Sequence, residues 1–321
     1  MPRTMRALAL LMLALTLLAG AGTASSATGA SSSTGARSAA VAKWPTYRPS
    51  QKDYPQKVDF VVECYYVADR KDDPIVFPGQ AGMSHAHTFS GNRAVKASST
   101  AQSLLGAATT CKLSKDTASY WMPTIYDDGK PVYPEHSRAY YRAATFDGAS
   151  IKPMPFGLKM IAGNAMAMKP QDARIAGFQC RSLAKGNTVP KRALPLRCAV
   201  GDFLESSVVF PNCWNGHDLD VADHRSHMAY ADWKTHRCPA GYPVQIPQLT
   251  FANRYPVNAL RGKITLARMA GMAESDSIYT LHSDVLDSWD PQMMARLTHD
   301  CINASVACAD VSDRRLPPHR P

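Results

Sequence analysis

Short apolar and aromatic runs, broken every few positions by proline or glycine, extend through most of the chain. The 23 prolines and 19 glycines leave little room for long helices. The runs are rich in β-branched and aromatic residues, which favour strands. Strands are predicted at 58–66, 119–126, 138–143, 206–210 and 244–251, with a turn at 127–130 after the second. Pro123 and Pro247 place their strands at sheet edges or bulges, because proline lacks the amide hydrogen that a central strand donates.

Helices are predicted only at 101–107 and 291–303. The second has an apolar face formed by Met293, Met294, Leu297 and Ile302. The pattern as a whole predicts a mainly β protein: a single strand-rich sandwich or barrel-like domain with long disulfide-pinned loops and a few short helices.

The two ends of the chain differ from this pattern. Arg3 and Arg6 precede an apolar run at 7–18 and then small residues, which is the order of a secretory signal peptide. We therefore assign 1–27 to a signal peptide, 28–57 to a flexible Ser/Ala/Gly-rich linker and extended lead-in, 58–310 to the domain, and 311–321 to a disordered tail. No later run reaches the roughly 18 apolar residues of a membrane span, so none is expected after signal removal.

Export changes the interpretation of the eight cysteines, because disulfides persist in oxidising compartments. They can pair in many ways. Proximity along the chain favours Cys301 with Cys308, Cys180 with Cys198 and Cys213 with Cys238, which leaves Cys64 with Cys111. The formal charge of +10 falls to +8 when Arg3 and Arg6 are removed with the signal. The remaining positive charge is dispersed, so no nucleic-acid partner is expected, and the protein is expected to be a monomer.

Histidine placement carries more information than charge. Among ten histidines, His85 and His87 are two apart, so in a strand they share one face. Such a pair is a common way to present two imidazoles to one metal ion. His282 and Asp284 repeat the same spacing late in the chain.

The densest polar cluster lies between 217 and 227, where three histidines and three aspartates fall within eleven residues. Its candidates are Asp220, Asp223, His224 and His227. On one helical turn His224 and His227 would point the same way. These side chains, together with His85, His87, His282 and Asp284, fit either general acid–base catalysis around one cleft or a metal held by histidines. The candidate ligands in the second case are His85, His87, His224 and His227. The sequence does not decide whether the protein has a cofactor, and a divalent metal is the candidate.

Aromatic residues accompany these stretches. Trp121, Trp214, Tyr230 and Trp289 are candidate platforms for a sugar ring, and core packing is their alternative role.

Several ordered motifs resemble one known family. They are Asp73-Pro74-Ile75-Val76, His85-x-His87, Ser119-Tyr120-Trp121-x-Pro123, Phe210-Pro211-x-Cys213-Trp214-x-Gly216, Asp223-His224-x-x-His227 and His282-x-Asp284 with Trp289-Asp290. Together they resemble the secreted DUF1996 domain family, a domain of unknown function, over about residues 58–303. The resemblance implies an extracellular, polysaccharide-associated protein and supplies no reaction.

The leading hypothesis is a secreted, carbohydrate-active protein: a polysaccharide hydrolase or lyase with a His/Asp cleft. Its catalytic candidates are His85, His87, Asp220, Asp223, His224, His227, His282 and Asp284. The alternatives are a non-catalytic cell-wall or glycan-binding protein, and an extracellular metal-binding protein with a histidine-rich site.

Overall fold

Strands dominate the part of the chain that the computed structural model describes, which is residues 60–144, 151–182, 186–187, 194, 198–257, 260 and 262–317. In chain order the strands are β1 (Phe60–Cys64), β2 (Tyr66–Arg70), β3 (His87–Gly91), β4 (Ser119–Pro123), β5 (Ile125–Asp127), β6 (Lys130–Val132), β7 (His136–Arg142), β8 (Lys159–Gly163), β9 (Ala176–Ser182), β10 (Gly186–Asn187), β11 (Phe203–Val209), β12 (Cys213–Trp214), β13 (Met228–Ala229), β14 (Val244–Gln245), β15 (Gln248–Pro256), β16 (Ile264–Leu266), β17 (His282–Leu286) and β18 (Ala309–Asp310). The predicted signal peptide, the predicted linker and residues 318–321 lie outside the described residues.

Two sheets make up the body of the fold. The larger has the strand order β10-β9-β11-β15-β7-β1-β18, and the smaller has the order β2-β3-β4-β17-β8. Their inner faces meet across one apolar core, where the Tyr120 ring on β4 stacks on the Phe251 ring on β15 at 4.8 Å. Ser90 on β3 and Ser137 on β7 also share a hydrogen bond of 2.9 Å. The mainly β architecture predicted from the sequence is confirmed.

The outer face of the five-stranded sheet carries a second, smaller apolar cluster. Its members include Ile75, Phe89, Trp121, Ile161 and Leu286. Phe89 and Leu286 lie on β3 and β17, two strands that flank β4. Side chains alternate along a strand, so His87 shares this outer face with Phe89, and His282 and Asp284 share it with Leu286.

Helices are short, and in the described residues none combines the length and apolar character needed to cross a membrane. Helix α1 (Ala101–Leu104) begins with a capping box between Thr100 and Ser103 and ends earlier than predicted. Helix α2 (Pro291–Leu297) is capped by the Asp290 carboxylate, and a π-helical turn continues it over Thr298–Asn303. A 3₁₀ helix spans Glu274–Tyr279.

Three sequence expectations need correction. The run predicted at 58–66 divides into β1 and β2 at Tyr65, whose backbone N–H and C=O both bond the Thr110 hydroxyl, at 3.3 and 2.6 Å. Pro123 does not mark an edge, because β4 lies between β3 and β17. Pro123 is the last residue of β4 and pairs with His87 on β3. The pairing of β4 with β17 covers only Ser119 to Trp121, so no residue of β17 needs the amide hydrogen that Pro123 lacks. Pro247 separates two strands, β14 and β15, which belong to different sheets.

All four disulfides predicted from proximity are present. They are Cys64–Cys111, Cys180–Cys198, Cys213–Cys238 and Cys301–Cys308, and no described cysteine is free. Near the end of the described chain, Val311 is buried and the Pro317 carbonyl accepts a hydrogen bond from Arg296 at 2.7 Å. Residues 311–317 therefore contact the domain.

A buried polar network sits inside the main core. Trp289 Nε1 donates to the hydroxyls of Tyr120 and Tyr141, at 3.1 and 3.0 Å, and Tyr120 donates to the Asp116 carboxyl at 3.0 Å. Burial raises the pKa of Asp116 to about 8, although the Tyr120 hydrogen bond lowers it. The carboxyl is therefore neutral in the folded state at pH 7.

This network predicts a pH dependence. The ordinary pKa of Asp116 is 3.8 and its folded pKa is about 8, so its stabilising effect is complete below about pH 4 and is lost as pH rises to about 8. We expect Asp116→Asn, which keeps the shape of a neutral acid, to flatten the fall of the unfolding free energy across this range. Urea denaturation at several pH values measures the slope. Glu135→Gln, at an exposed carboxylate with no ion pair in the described residues, should keep the wild-type slope. An unchanged slope in Asp116→Asn would show that this carboxyl is ionised when folded.

Candidate metal centre

Three histidines from distant parts of the chain meet at one end of the outer sheet face. His87 lies on β3, His85 two residues before it, and His282 on β17. The imidazole centroids of His85 and His87 are 4.2 Å apart, and those of His85 and His282 are 5.1 Å apart. One ligand nitrogen from each ring lies within 4.8 Å of the others. We call these three residues the histidine cluster.

Hydrogen bonds fix which nitrogen of each ring carries the hydrogen. The Nδ1 atom of His282 lies 2.7 Å from the Thr280 carbonyl, and that of His87 lies 3.1 Å from the Asp72 carbonyl. A carbonyl only accepts, so both Nδ1 atoms donate and both Nε2 atoms keep a lone pair. His85 follows the same pattern, with Nδ1 at 3.2 Å from the Met269 sulfur. The chain thus leaves three Nε2 lone pairs available in the cluster.

The distances fit a tetrahedral ion. The two Nε2 atoms of His87 and His282 are 3.4 Å apart, yet neither has a hydrogen to share with the other. Two nitrogens that each lie 2.0–2.1 Å from a tetrahedral zinc ion are about 3.3–3.4 Å apart. His85 Nε2 is buried and has no hydrogen-bond partner. A cation bound between the rings would therefore accept the two facing lone pairs and would also give His85 Nε2 a partner.

Burial keeps all three rings uncharged at neutral pH. It lowers the pKa of His85 to about 4 and that of His282 to about 3. Burial also lowers the pKa of His87 well below its usual value, with a further contribution from the two neighbouring imidazoles. Neutral imidazole is the form that binds a metal ion, so no proton has to leave first.

A buried carboxyl lies beside the cluster. Asp284 Oδ2 is 3.8 Å from His282 Nε2, and this oxygen has no hydrogen-bond partner. Burial raises the pKa of Asp284 well above its ordinary value, the nearby charge of Asp73 raises it further, and Arg225 lowers it. Asp73 itself is buried and accepts two backbone hydrogen bonds, from Ile75 and Val76. A buried carboxyl oxygen without a hydrogen-bond partner therefore lies beside the cluster, in surroundings that favour its protonated form.

The polar loop predicted as the second half of the site is held in other contacts. Asp220 bonds His224 Nδ1 at 2.7 Å through one oxygen and Lys159 Nζ at 2.9 Å through the other. His227 is buried, with Nε2 at 2.8 Å from the Lys159 carbonyl. The Asp223 carboxylate accepts hydrogen bonds from the backbone N–H groups of Arg225 and Ser226 and shapes the loop.

The structure therefore brings together only part of the predicted metal set. His85 and His87 are joined by His282, and His224 and His227 do not belong to the group. Within the described residues one other group has metal-ligand spacing, Cys64, Cys111 and Asp116, but its two sulfurs form a disulfide.

Two of the four candidate sugar platforms are fully buried and the other two are partly buried. Trp121 is fully buried in the smaller cluster and Trp289 in the main core. Trp214 is half-buried and donates to the Asp218 carbonyl at 2.6 Å. Tyr230 is half-buried, packs against Trp233 and donates to the Val209 carbonyl at 2.7 Å. Core packing, the alternative role given above, accounts for these positions.

Two cavities flank these groups. One, of about 490 Å³, is lined by His85, Met269, Lys71 and Arg268 among others, and we call it the histidine cavity. The other, of about 600 Å³, lies against Lys159 and Asp220. His85 belongs both to the histidine cluster and to the wall of the histidine cavity, so the cluster is reached from that side. Met269, Lys71 and Arg268 were not predicted as site residues, because no spacing in the sequence connects them with the histidines.

The fold and this site define a disulfide-bonded, mainly β protein with a histidine cluster beside a cavity that one of the three histidines lines. A family model described as a domain of unknown function (DUF1996) matches residues 73–289, and the chain belongs to this family. The matched range contains all three histidines of the cluster. Neither a curated protein nor a solved structure matches the chain. The four disulfides fit an extracellular protein.

Proposed function

We propose that the protein is a secreted metal-dependent hydrolase, with a divalent transition ion held by His85, His87 and His282 and with polysaccharide as the substrate class. The observation that carries the proposal is the pair of Nε2 atoms facing each other at 3.4 Å, each with its Nδ1 hydrogen committed to a carbonyl. Three neutral imidazoles are the protein ligands of one common kind of catalytic zinc site.

The residues around the cluster supply the remaining chemistry. An ion held by three imidazoles acidifies a bound water molecule and polarises a substrate oxygen. Asp284, whose Oδ2 lies 3.8 Å from His282 Nε2, would serve as the proton acceptor for such a water once the charge of the ion favoured the ionised carboxylate. Asp72 and Thr280 hold two of the rings through their carbonyls, and such outer contacts commonly set both ring orientation and metal affinity. The histidine cavity gives a substrate access from the His85 side.

The proposal is tested on the purified, disulfide-intact protein. We expect about one equivalent of zinc by elemental analysis, and a tetrahedral cobalt spectrum after exchange. Hydrolysis is then followed on a panel of cell-wall polysaccharides with Asp284→Asn, which should keep the metal and lose most turnover. A protein that binds no transition metal overturns the proposal. A variant that hydrolyses as fast as the wild type removes Asp284 from the mechanism.

A second candidate is extracellular metal capture without catalysis. Three methionines, Met83, Met269 and Met272, line the same cavity as His85. Thioethers are soft ligands that favour Cu(I). Copper rather than zinc in the purified protein, together with no turnover on any polysaccharide, would favour this candidate.

A further inference from the structure

The wall of the histidine cavity is cationic. Lys71 and Arg268 both line it and both are exposed. Among the residues that line this cavity none is aspartate or glutamate. Neither cation forms an ion pair in the described residues, whereas nearby Lys263 is paired with Glu274 at 2.7 Å. Arg268 Nε donates to the Met272 carbonyl at 3.0 Å, which orients the guanidinium, and the charges of both side chains are available to an anionic ligand.

A third cation approaches from the polar loop. The Arg225 guanidinium donates to the Ile161 carbonyl on β8 at 3.2 Å, and Ile161 is the register partner of Asp284 on β17. Arg225 is exposed, and its charge lies near Asp284, the carboxyl beside the histidine cluster. Lys71 and Arg268 come from two separate segments of the cavity wall, and Arg225 adds a positive charge near the cluster but outside that wall. Such an arrangement concentrates anions.

We propose that the histidine cavity binds an acidic polysaccharide, with the carboxylates of a uronate segment held by Lys71 and Arg268 while the chain passes the histidine cluster. This rests on the proposed function and names its substrate class. A neutral glycan gains affinity chiefly by stacking on exposed aromatic rings, and none of the four candidate rings lines this cavity. Tyr126 is the one aromatic side chain among the residues that line this cavity.

The same observation disfavours a nucleic acid. Single strands bind through successive bases stacked on aromatic side chains along a basic groove. One tyrosine and two cations around a cavity of about 490 Å³ offer neither the stacking surface nor the length. A uronate chain needs only carboxylate contacts and hydroxyl hydrogen bonds, which this wall can supply.

Binding of defined oligomers tests the proposal. The probes are a pentameric oligogalacturonate, its fully methyl-esterified form, and a single-stranded DNA pentamer, each titrated by calorimetry at low and moderate salt. We expect the uronate to bind, the ester to bind at least tenfold more weakly, and the uronate affinity to fall as salt rises. Lys71→Gln combined with Arg268→Gln should weaken uronate binding about five- to tenfold, as expected for two partly exposed ion pairs.

A matched double variant separates specific contacts from net charge. Lys169→Gln combined with Arg314→Gln removes the same charge at exposed positions that do not line the cavity, and should leave uronate affinity unchanged. Equal binding of uronate and ester, equal losses in the two double variants, or tighter binding of the DNA overturns the proposal. Metal content is measured on the same samples: uronate selectivity without metal refutes only the metalloenzyme, and metal without selectivity refutes only the acidic substrate.

Discussion

Replacing Arg254 with methionine is expected to lower the free energy of unfolding by about 3–5 kcal/mol, the usual effect of leaving one member of a buried ion pair alone. Arg254 on β15 and Glu205 on β11 are register partners, and their side chains are 5% and 4% exposed. Arg254 Nε lies 2.6 Å from Glu205 Oε2, and its Nη2 donates to the Tyr140 hydroxyl at 2.8 Å. Without the guanidinium, Glu205 keeps only the Gln179 amide and the more distant Arg181.

Urea denaturation measures this loss, and two further variants show its origin. Glu205→Leu combined with Arg254→Met should recover most of the stability, because the double change leaves no buried charge. Lys263→Met breaks an ion pair whose side chains are 65% and 49% exposed, and should leave the free energy of unfolding close to that of the wild type. Equal losses in Arg254→Met and Lys263→Met would mean that the buried pair is not desolvated.

Replacing His282 with alanine is expected to weaken zinc binding at least 100-fold. Loss of an outer-shell contact to a metal-bound histidine typically costs about 10–100-fold in affinity, so loss of a ligand itself should cost more. His282 is also the one ligand that comes from β17, and its removal leaves only the His85 and His87 pair. Competition with a coloured chelator measures the affinity.

An exposed histidine provides the control for that measurement. His217 has a side chain 71% exposed and pairs with Asp218, so His217→Ala should bind zinc as the wild type does. Circular dichroism and the urea midpoint establish that His282→Ala is folded. A folded His282→Ala protein with wild-type zinc affinity would place the metal elsewhere.

The sequence predicted the features that depend on local spacing. The two-residue periodicity that puts His282 with Asp284 is a property of the strand itself. His85 and His87 also meet as predicted, although β3 begins only at His87. The cysteine pairs followed from loop length, and the mainly β class followed from short apolar runs between prolines and glycines. Each of these needs only residues that are close in the chain.

The features that depend on strand order were not predictable in this way. His87 and His282 are 195 positions apart in the chain. They meet because β3 and β17 lie on either side of β4 in the same sheet, and no local pattern encodes that strand order. His224 was expected at the site, but Asp220 lies four residues earlier and binds its Nδ1. Trp289 was a candidate sugar platform with core packing as its alternative, and it lies in the core, where the hydroxyls of Tyr120 and Tyr141 satisfy its indole nitrogen. In each case a tertiary partner decided the position.

The separation of the cluster over β3 and β17 has a consequence for when the ion can be acquired. An unfolded or partly synthesised chain holds at most the His85 and His87 pair, and the third ligand arrives only when the five-stranded sheet is complete. A chain exported unfolded, as the proposed signal peptide implies, would carry no ion across the membrane. The identity of the bound metal would then be set by the ions present where the chain folds, and not by those in the cell that made it.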